Sequence, residues 1–309
     1  MIDFEGKVVV VTGAGRNLGR EYALAFANRG ASVIVNDLGV GISDTDGRAE
    51  APSSNPADGV VAEIRAAGGV AVANHDSVAT PLGGKSIIEC ALDSFGRVDV
   101  VVNNAGQVRM APFDEFTEEG IDALIDTQLR GALNVSRPAW KWMKVNGGGR
   151  FVNVSSGAAF GGVPDGTVYA MAKMGVIGLT RGMASEGGPL GISTNVVLPY
   201  AKTRPGTSFG PIPWSPELGE WLDPRLVAPL VLWLSHTGCP VNGETFCVGA
   251  GWQAAVTTSL ARGLVDRGLD LDVIDLRRNE LFAEPFSPVT AFGSKAVRHL
   301  MSGFQPPSG

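Results

Sequence analysis

Short valine-rich apolar runs recur along the chain, each followed by a turn and then by apolar residues at helical spacing. Residues 7–12 form the first run, continuous enough for a strand buried on both faces. Residues 18–29 read as a helix and 32–36 as a second strand. Residues 38–56 are rich in Gly, Asp, Ser and Pro and read as a loop, long for a strand-to-helix connection. Helices are predicted over 57–67 and 84–95, and strands over 70–74 and 98–102. One long helical stretch covers 118–144. It is followed by a strand at 151–154, a helix at 168–186, a strand at 193–198, a helix at 224–235 and a last strand at 245–248.

Strand and helix alternate almost throughout. That order implies an α/β fold, a doubly wound Rossmann-type parallel sheet of about seven strands with helices on both faces. The alternation stops after Gly251. Residues 1–252 are therefore expected to form one domain, which the motifs described below make a dinucleotide-binding one with its own active site. Residues 253–309, with Pro285, Pro288, Pro306 and Pro307, are expected to form a helical and coil extension. It would pack on that domain or on a neighbouring subunit.

Composition narrows the picture further. Charged residues make up 18% of the 309 and aromatics 7%, which suits a globular protein. A net charge of −6 disfavours nucleic acid as a partner. No apolar run is long enough for a membrane span. Cys90, Cys239 and Cys247 form no CxxC pair, so they read as buried small side chains rather than zinc ligands or disulfides. His75, His236 and His299 are far apart and offer no ligand spacing, so no metal is expected. The start has no basic and apolar leader, and the last residues are not Ser-Lys-Leu, which makes the cytoplasm the expected location.

Candidate chemistry begins where the first strand ends. Gly13, Gly15, Arg16, Asn17, Leu18 and Gly19 make a glycine-rich turn that opens a helix. Such a turn lets backbone N–H groups approach a pyrophosphate at the positive end of the helix. Alone it is also an ordinary loop; its place after a buried strand supports a dinucleotide. Asp37 ends the second strand, where a carboxylate accepts from a ribose diol and repels the 2′-phosphate of NADP. The cofactor is therefore read as NAD, with Arg16 as an opposing signal because a basic residue there could meet that phosphate. Asp76 and Ser77 follow the third strand, placed toward the adenine. Asn104, Ala105 and Gly106 follow the fourth, where small residues allow close approach.

Tyr169 and Lys173 are four residues apart on a predicted helix and share a face. A free phenol is a poor base at neutral pH, and a nearby ammonium lowers its pKa. The pair could pass a proton to or from an alcohol oxygen, with Ser156 holding that oxygen by hydrogen bond. By itself the spacing also fits a plain surface pair.

Together these pieces resemble the short-chain dehydrogenase/reductase family, in its order: the glycine run, Asn103-Asn104-Ala105-Gly106, Ser156, Tyr169-x-x-x-Lys173, then Pro199 and Thr203. The resemblance spans about residues 4–252. It implies cofactor contacts from Tyr169, Lys173, Pro199 and Thr203, the last at the nicotinamide carboxamide. Asn36-Asp37-Leu38-Gly39, residues 72–78 and residues 228–234 are similar, more narrowly, to the dehydrogenase unit of peroxisomal multifunctional enzymes of type two. That likeness implies a (3R)-hydroxyacyl-CoA or a hydroxysteroid as substrate, and a homodimer or homotetramer built on helices 118–144 and 168–186. The hydratase and sterol-carrier units of those enzymes have no counterpart here, which implies a stand-alone relative. A cyclic terpenoid alcohol is the alternative substrate, and a non-catalytic NAD-sensing scaffold the alternative function.

Three residues depart from the family pattern. Asn17 stands where a loop Gly is usual, and Asn tolerates positive φ. Gln128 stands where the family carries a catalytic Asn and the nearer relatives a His; its amide could still hold a relay water. Tyr200 replaces the Gly after Pro199, narrowing the nicotinamide side. Trp214 and Trp221 flank a loop over the substrate, where they either line a pocket or simply pack. Lys202 and Arg204 either meet a CoA phosphate or are solvated.

Overall fold

The computed structural model describes residues 2–40, 55–202, 216–261, 263 and 271–288. The chain divides into two compact units, Met1–Ala255 and Val256–Gly309.

In the first unit the valine runs become the strands of one sheet. These are β1 Val8–Thr12, β2 Ser32–Asn36, β3 Val70–Asn74, β4 Val100–Asn103, β5 Gly149–Val154, β6 Ile192–Tyr200, β7 Thr245–Gly249 and β8 Trp252–Val256. Their order across the sheet is β3-β2-β1-β4-β5-β6-β7-β8, and β1 through β7 pair in parallel. Side-chain alternation explains the all-valine first strand. Val9 and Val11 enter one core while Val8 and Val10 enter the other. A strand covered on both faces has no polar side to expose.

Helices α1 Asn17–Ala27 and α2 Pro56–Ala66 supply Tyr22, Phe26, Val60 and Ile64 to the core on one face. Leu230 and Leu234 join them from α9 Ala228–Ser235. The opposite core takes Ile87 and Ile88 from α3 Pro81–Phe95, and Val135 and Met143 from α5 Gly131–Val145. Met183, partly buried on α7 Thr167–Gly187, packs against that second core. The strand order reverses between β1 and β4, so helices on opposite faces leave a crevice at the carboxyl ends of those strands.

The structure differs from the sequence reading in several places. The sheet has an eighth strand: Ala250 and Gly251, at φ 50° and 74°, make a two-residue turn, which sends β8 back along β7. The stretch 118–144 is not one uniform helix. It runs as α4 Glu118–Ile125, a π-helical turn Asp126–Arg130 holding Gln128, and α5. The helix predicted over 224–235 opens as a 3₁₀ turn, Pro224–Leu226, before α9. Two short helices, α6 Ala158–Gly161 and α8 Pro216–Trp221, stand where no helix was expected.

The second unit is not helix and coil alone, as expected: β9 Ser259–Leu260 pairs antiparallel with β10 Ser287–Pro288. Between them lie α10 Leu271–Leu276 and a 3₁₀ turn Arg278–Phe282, with Arg277 paired to Glu280 at 2.8 Å.

Candidate active site

The crevice is a cleft of about 850 Å³. Strands β1 to β6 deliver residues at or just past their carboxyl ends to it, because loops leaving a parallel sheet at one edge converge there. Gly13, Arg16, Asn17, Leu18 and Gly19 line it after β1, and Asp37 after β2. Asp76 and Ser77 follow β3, and Asn104, Ala105 and Gly106 follow β4. Ser156 comes from the end of β5, and Pro199 and Tyr200 from the end of β6. Tyr169 and Lys173 on α7 and Gln128 on the π turn complete the wall. Gly15 does not line the cleft, because its N–H is turned to Asp37 Oδ2 at 2.9 Å. Thr203, Arg204, Trp214 and His299 lie outside the described residues.

The first turn is built for close approach. Asn17 takes φ 47°, the left-handed conformation its amide side chain tolerates. Gly13 is at φ 61°, and a Cβ there would stand 2.8 Å from the Ala105 Cα. The two segments are tied as well as close. Thr12 Oγ1 accepts from the backbone N–H of Asn104 and of Ala105, both at 3.0 Å. Asn104 Nδ2 donates to the carbonyls of Thr12 and Gly13 at 2.9 and 3.0 Å. Asn104 therefore braces the glycine turn. Side chains cap α2, α3 and α4 through Asn55, Thr80 and Thr117, whereas Arg16 gives α1 no such bond. The N-terminus of α1 is thus left to the cleft, where its partial positive charge suits an anion.

Asp37 is fixed by two backbone donors, Gly15 at 2.9 Å and Gly39 at 2.9 Å. A carboxylate offers about four acceptor sites, so about two remain for a diol. Arg16 Nη1 stands 3.9 Å from Asp37 Oδ1 and donates to the Val40 carbonyl at 3.3 Å. Asp76 Oδ2 accepts from Asn74 Nδ2 at 2.8 Å and Ser86 Oγ at 2.6 Å.

At the other end, Tyr169 and Lys173 are both buried, and Tyr169 hydrogen-bonds to Ser156. Lys173 Nζ donates to the Val154 carbonyl at 2.9 Å and stands 5.8 Å from the centre of the Tyr169 ring. Ser155 Oγ donates to the Lys173 carbonyl at 2.7 Å, pinning α7 to the end of β5. The expected lowering of the phenol by the ammonium is not what this environment gives. Burial pushes Tyr169 up, opposed only by the bond to Ser156. Burial also pushes Lys173 down from 10.5 to about 7, so at neutral pH much of its charge is gone.

Gln128 is 4% exposed. Its Nε2 donates to the Gln107 carbonyl, and its Oε1 is a buried acceptor with no hydrogen-bond partner. A Cβ on Gly106 would stand 2.7 Å from that oxygen.

The profile of the short chain dehydrogenase family matches residues 7–205. The chain belongs to the short chain dehydrogenase family. It is accordingly an oxidoreductase on a fold that binds NAD(H) or NADP(H). It is 47% identical to the peroxisomal multifunctional enzyme type 2 of Mus musculus, over 85% of this chain and 34% of that enzyme. It is 39% identical to peroxisomal multifunctional enzyme A of Dictyostelium discoideum, over 97% of this chain and 66% of that one. The chain thus spans about a third of the first relative and about two thirds of the second. A crystal structure of a short chain dehydrogenase from Mycobacterium avium matches with TM-score 0.78 at 36% identity, over 92% of this chain and 98% of that one. The full-length type 2 enzyme of Drosophila melanogaster matches with TM-score 0.77 at 30% identity, over 97% of this chain and 50% of that one.

Sequence reasoning missed several members of this dehydrogenase's site. Thr12 and Ser155 act through bonds to residues far along the chain, and only the Ser155-Ser156 doublet hinted at the second. Gly219 and Leu222 line the cleft, whereas Trp221 is 59% exposed and is not among the cleft residues. Lys202 lines the cleft too, with its backbone N–H donating to Leu222 at 2.7 Å. His75 meets Asp58 at 3.1 Å and His236 accepts from Gly238, so both have local partners. Among the described residues no cluster could hold a metal ion, and no helix is long and apolar enough to cross a membrane.

Proposed function

We propose that this dehydrogenase uses NAD to interconvert a secondary alcohol and a ketone, with a (3R)-hydroxyacyl-CoA or a hydroxysteroid as substrate. The observation that carries the reading is the buried Ser156–Tyr169 hydrogen bond with Lys173 beside it, in one cleft with the glycine turn and Asp37. Ser156 holds the substrate oxygen, and Tyr169 exchanges the proton with it. Lys173 spends one donor on Val154 and stands beside the Tyr169 ring; its remaining donors would serve a cofactor ribose and the phenol. Gln128 offers its unpartnered Oε1 to a relay water. The cofactor contacts come from the glycine turn, Asp37, Asp76, Ser77, Asn104 to Gly106, Pro199 and Thr203. A bound NAD supplies the hydride acceptor. The likeness to the multifunctional enzymes supports the acyl-CoA and steroid classes.

The exposed Leu133 on α5 and Met171 and Met174 on α7 support a homodimer or homotetramer through those helices. Cys90, Cys239 and Cys247 are free thiols, in keeping with a reducing compartment, for which we propose the cytoplasm.

The test is NADH release across hydroxyacyl-CoA esters, hydroxysteroids and cyclic terpene alcohols. Turnover of an acyl-CoA or a steroid supports the proposal, and turnover of terpene alcohols alone moves the substrate class. NAD binding without turnover of any alcohol points to a scaffold instead.

A further inference from the structure

Tyr200 is a cleft residue with no part in the reading above. It ends β6, opposite Gly249 on β7, and lines the cleft together with Ser156, Gly157 and Leu222. At the base, the Tyr200 backbone packs so closely on Gly249 that a Cβ there would stand 2.0 Å from the Tyr200 carbonyl oxygen. At the tip, the Tyr200 hydroxyl lies so close to Gly157 that a Cβ there would collide with it. Gly157 thus carries only hydrogen where the Tyr200 phenol tip comes in, while Gly249 leaves room for the Tyr200 backbone. The Cys247 thiol lies beside the phenol, and burial pushes the phenol's pKa up, so the ring is neutral at working pH.

Gly157 directly follows Ser156. The Tyr200 phenol therefore stands as a bulky wall of the cleft next to the group that holds the substrate oxygen. A wall there limits what the carbon beside that oxygen can carry. An unbranched acyl chain is narrow and can turn away from the wall, whereas a fused ring system is broad and rigid at that same carbon.

We propose that Tyr200 is a specificity-determining residue that favours straight-chain 3-hydroxyacyl thioesters over fused-ring alcohols. The inference rests on the dehydrogenase reading and narrows its substrate class. Small volume changes in an apolar pocket discriminate about 10- to 200-fold, and a whole phenol ring lies at the upper end or beyond.

The experiment compares kcat/KM for (3R)-hydroxyoctanoyl-CoA and for a 17β-hydroxysteroid in wild type, Tyr200→Gly and Tyr200→Phe. Wild type is expected to favour the acyl-CoA. Tyr200→Gly is expected to move the ratio toward the steroid by at least about tenfold. Tyr200→Phe keeps the ring and is expected to hold the ratio within about threefold of wild type, which separates the wall from the hydroxyl. NAD affinity of each variant, read by fluorescence titration, shows that the cleft is still formed. A ratio that stays put in Tyr200→Gly with NAD binding intact overturns the proposal. So does a wild-type preference for the steroid. Wild type that turns over neither probe but does turn over another alcohol overturns this proposal alone, and turnover of no alcohol at all overturns the dehydrogenase reading with it.

Discussion

Lys173 Nζ donates to the Val154 carbonyl at 2.9 Å while standing 5.8 Å from the centre of the Tyr169 ring. The amine is thus anchored to the end of β5, within the range of a cation–π contact. Both groups are buried in the wall of the cleft, where burial disfavours the charged form of each.

That burial predicts a pH effect on stability. Lys173 falls from 10.5 in the unfolded chain to about 7 in the folded one. Between those values the unfolded chain holds a proton that the folded chain has lost. The unfolded state binds more protons there, so stability rises with pH across about 7 to 10.5. Lys173→Met keeps an apolar stem and removes the titrating group. The wild-type melting temperature minus that of the variant should increase from pH 7 to pH 10, measured without cofactor. A flat or falling difference contradicts the account.

Tyr169→Phe removes one oxygen and nothing else. The ring stays in the small core formed with Val108, Leu124 and Val168, so the fold and NAD binding should persist. Turnover should fall by about 10²-fold or more, because the acid–base group and its bond to Ser156 are both gone. Activity within about tenfold of wild type would remove Tyr169 from the proton path.

Gln128 sits on the π turn, and such turns recur at functional sites. If its unpartnered Oε1 holds a water of the proton path, Gln128→Ala should lower kcat by about 10²-fold with KM little changed. Gln128→Asn should recover part of the loss. Unchanged turnover in the alanine variant would make Gln128 structural only.

The parts legible in the sequence are those whose cause is local. Val8 to Val11 announce a strand covered on both faces, and Asn17 declares its own left-handed turn. The Tyr169-x-x-x-Lys173 spacing puts both groups on one helix face because 3.6 residues make a turn. The π turn escaped because Asp126 to Arg130 has an ordinary helical composition, and one extra residue only shifts the apolar stripe. Strand β8 escaped because it is a largely exposed edge, with Trp252 57% exposed, and so lacks the buried-valine signature of the others. The ties of Thr12 to Asn104 and of Ser155 to Lys173 span 92 and 18 positions, and no local pattern encodes such partners.

Cofactor choice is set between Asp37 and Arg16, which stand 3.9 Å apart. Asp37 is held toward the cleft by the N–H groups of Gly15 and Gly39, so it cannot swing away from a bound nucleotide without breaking both bonds. An NADP phosphate about 4 Å away, at an effective dielectric of about 20, is repelled by about 4 kcal/mol per unit charge pair. Arg16 opposes this, yet a partly exposed ion pair returns about 1 kcal/mol or less. Its guanidinium is also already engaged with Asp37 and the Val40 carbonyl. The balance favours NAD by about 10²-fold in kcat/KM, since about 1.4 kcal/mol is tenfold. Asp37→Ser removes the repulsion and releases Arg16 to meet a phosphate, so the gap should narrow mainly through a better value for NADP. The measurement is kcat/KM with both cofactors in wild type and variant. Equal or better use of NADP by the wild type would mean that Arg16 governs the site and that Asp37 serves only to brace the glycine turn.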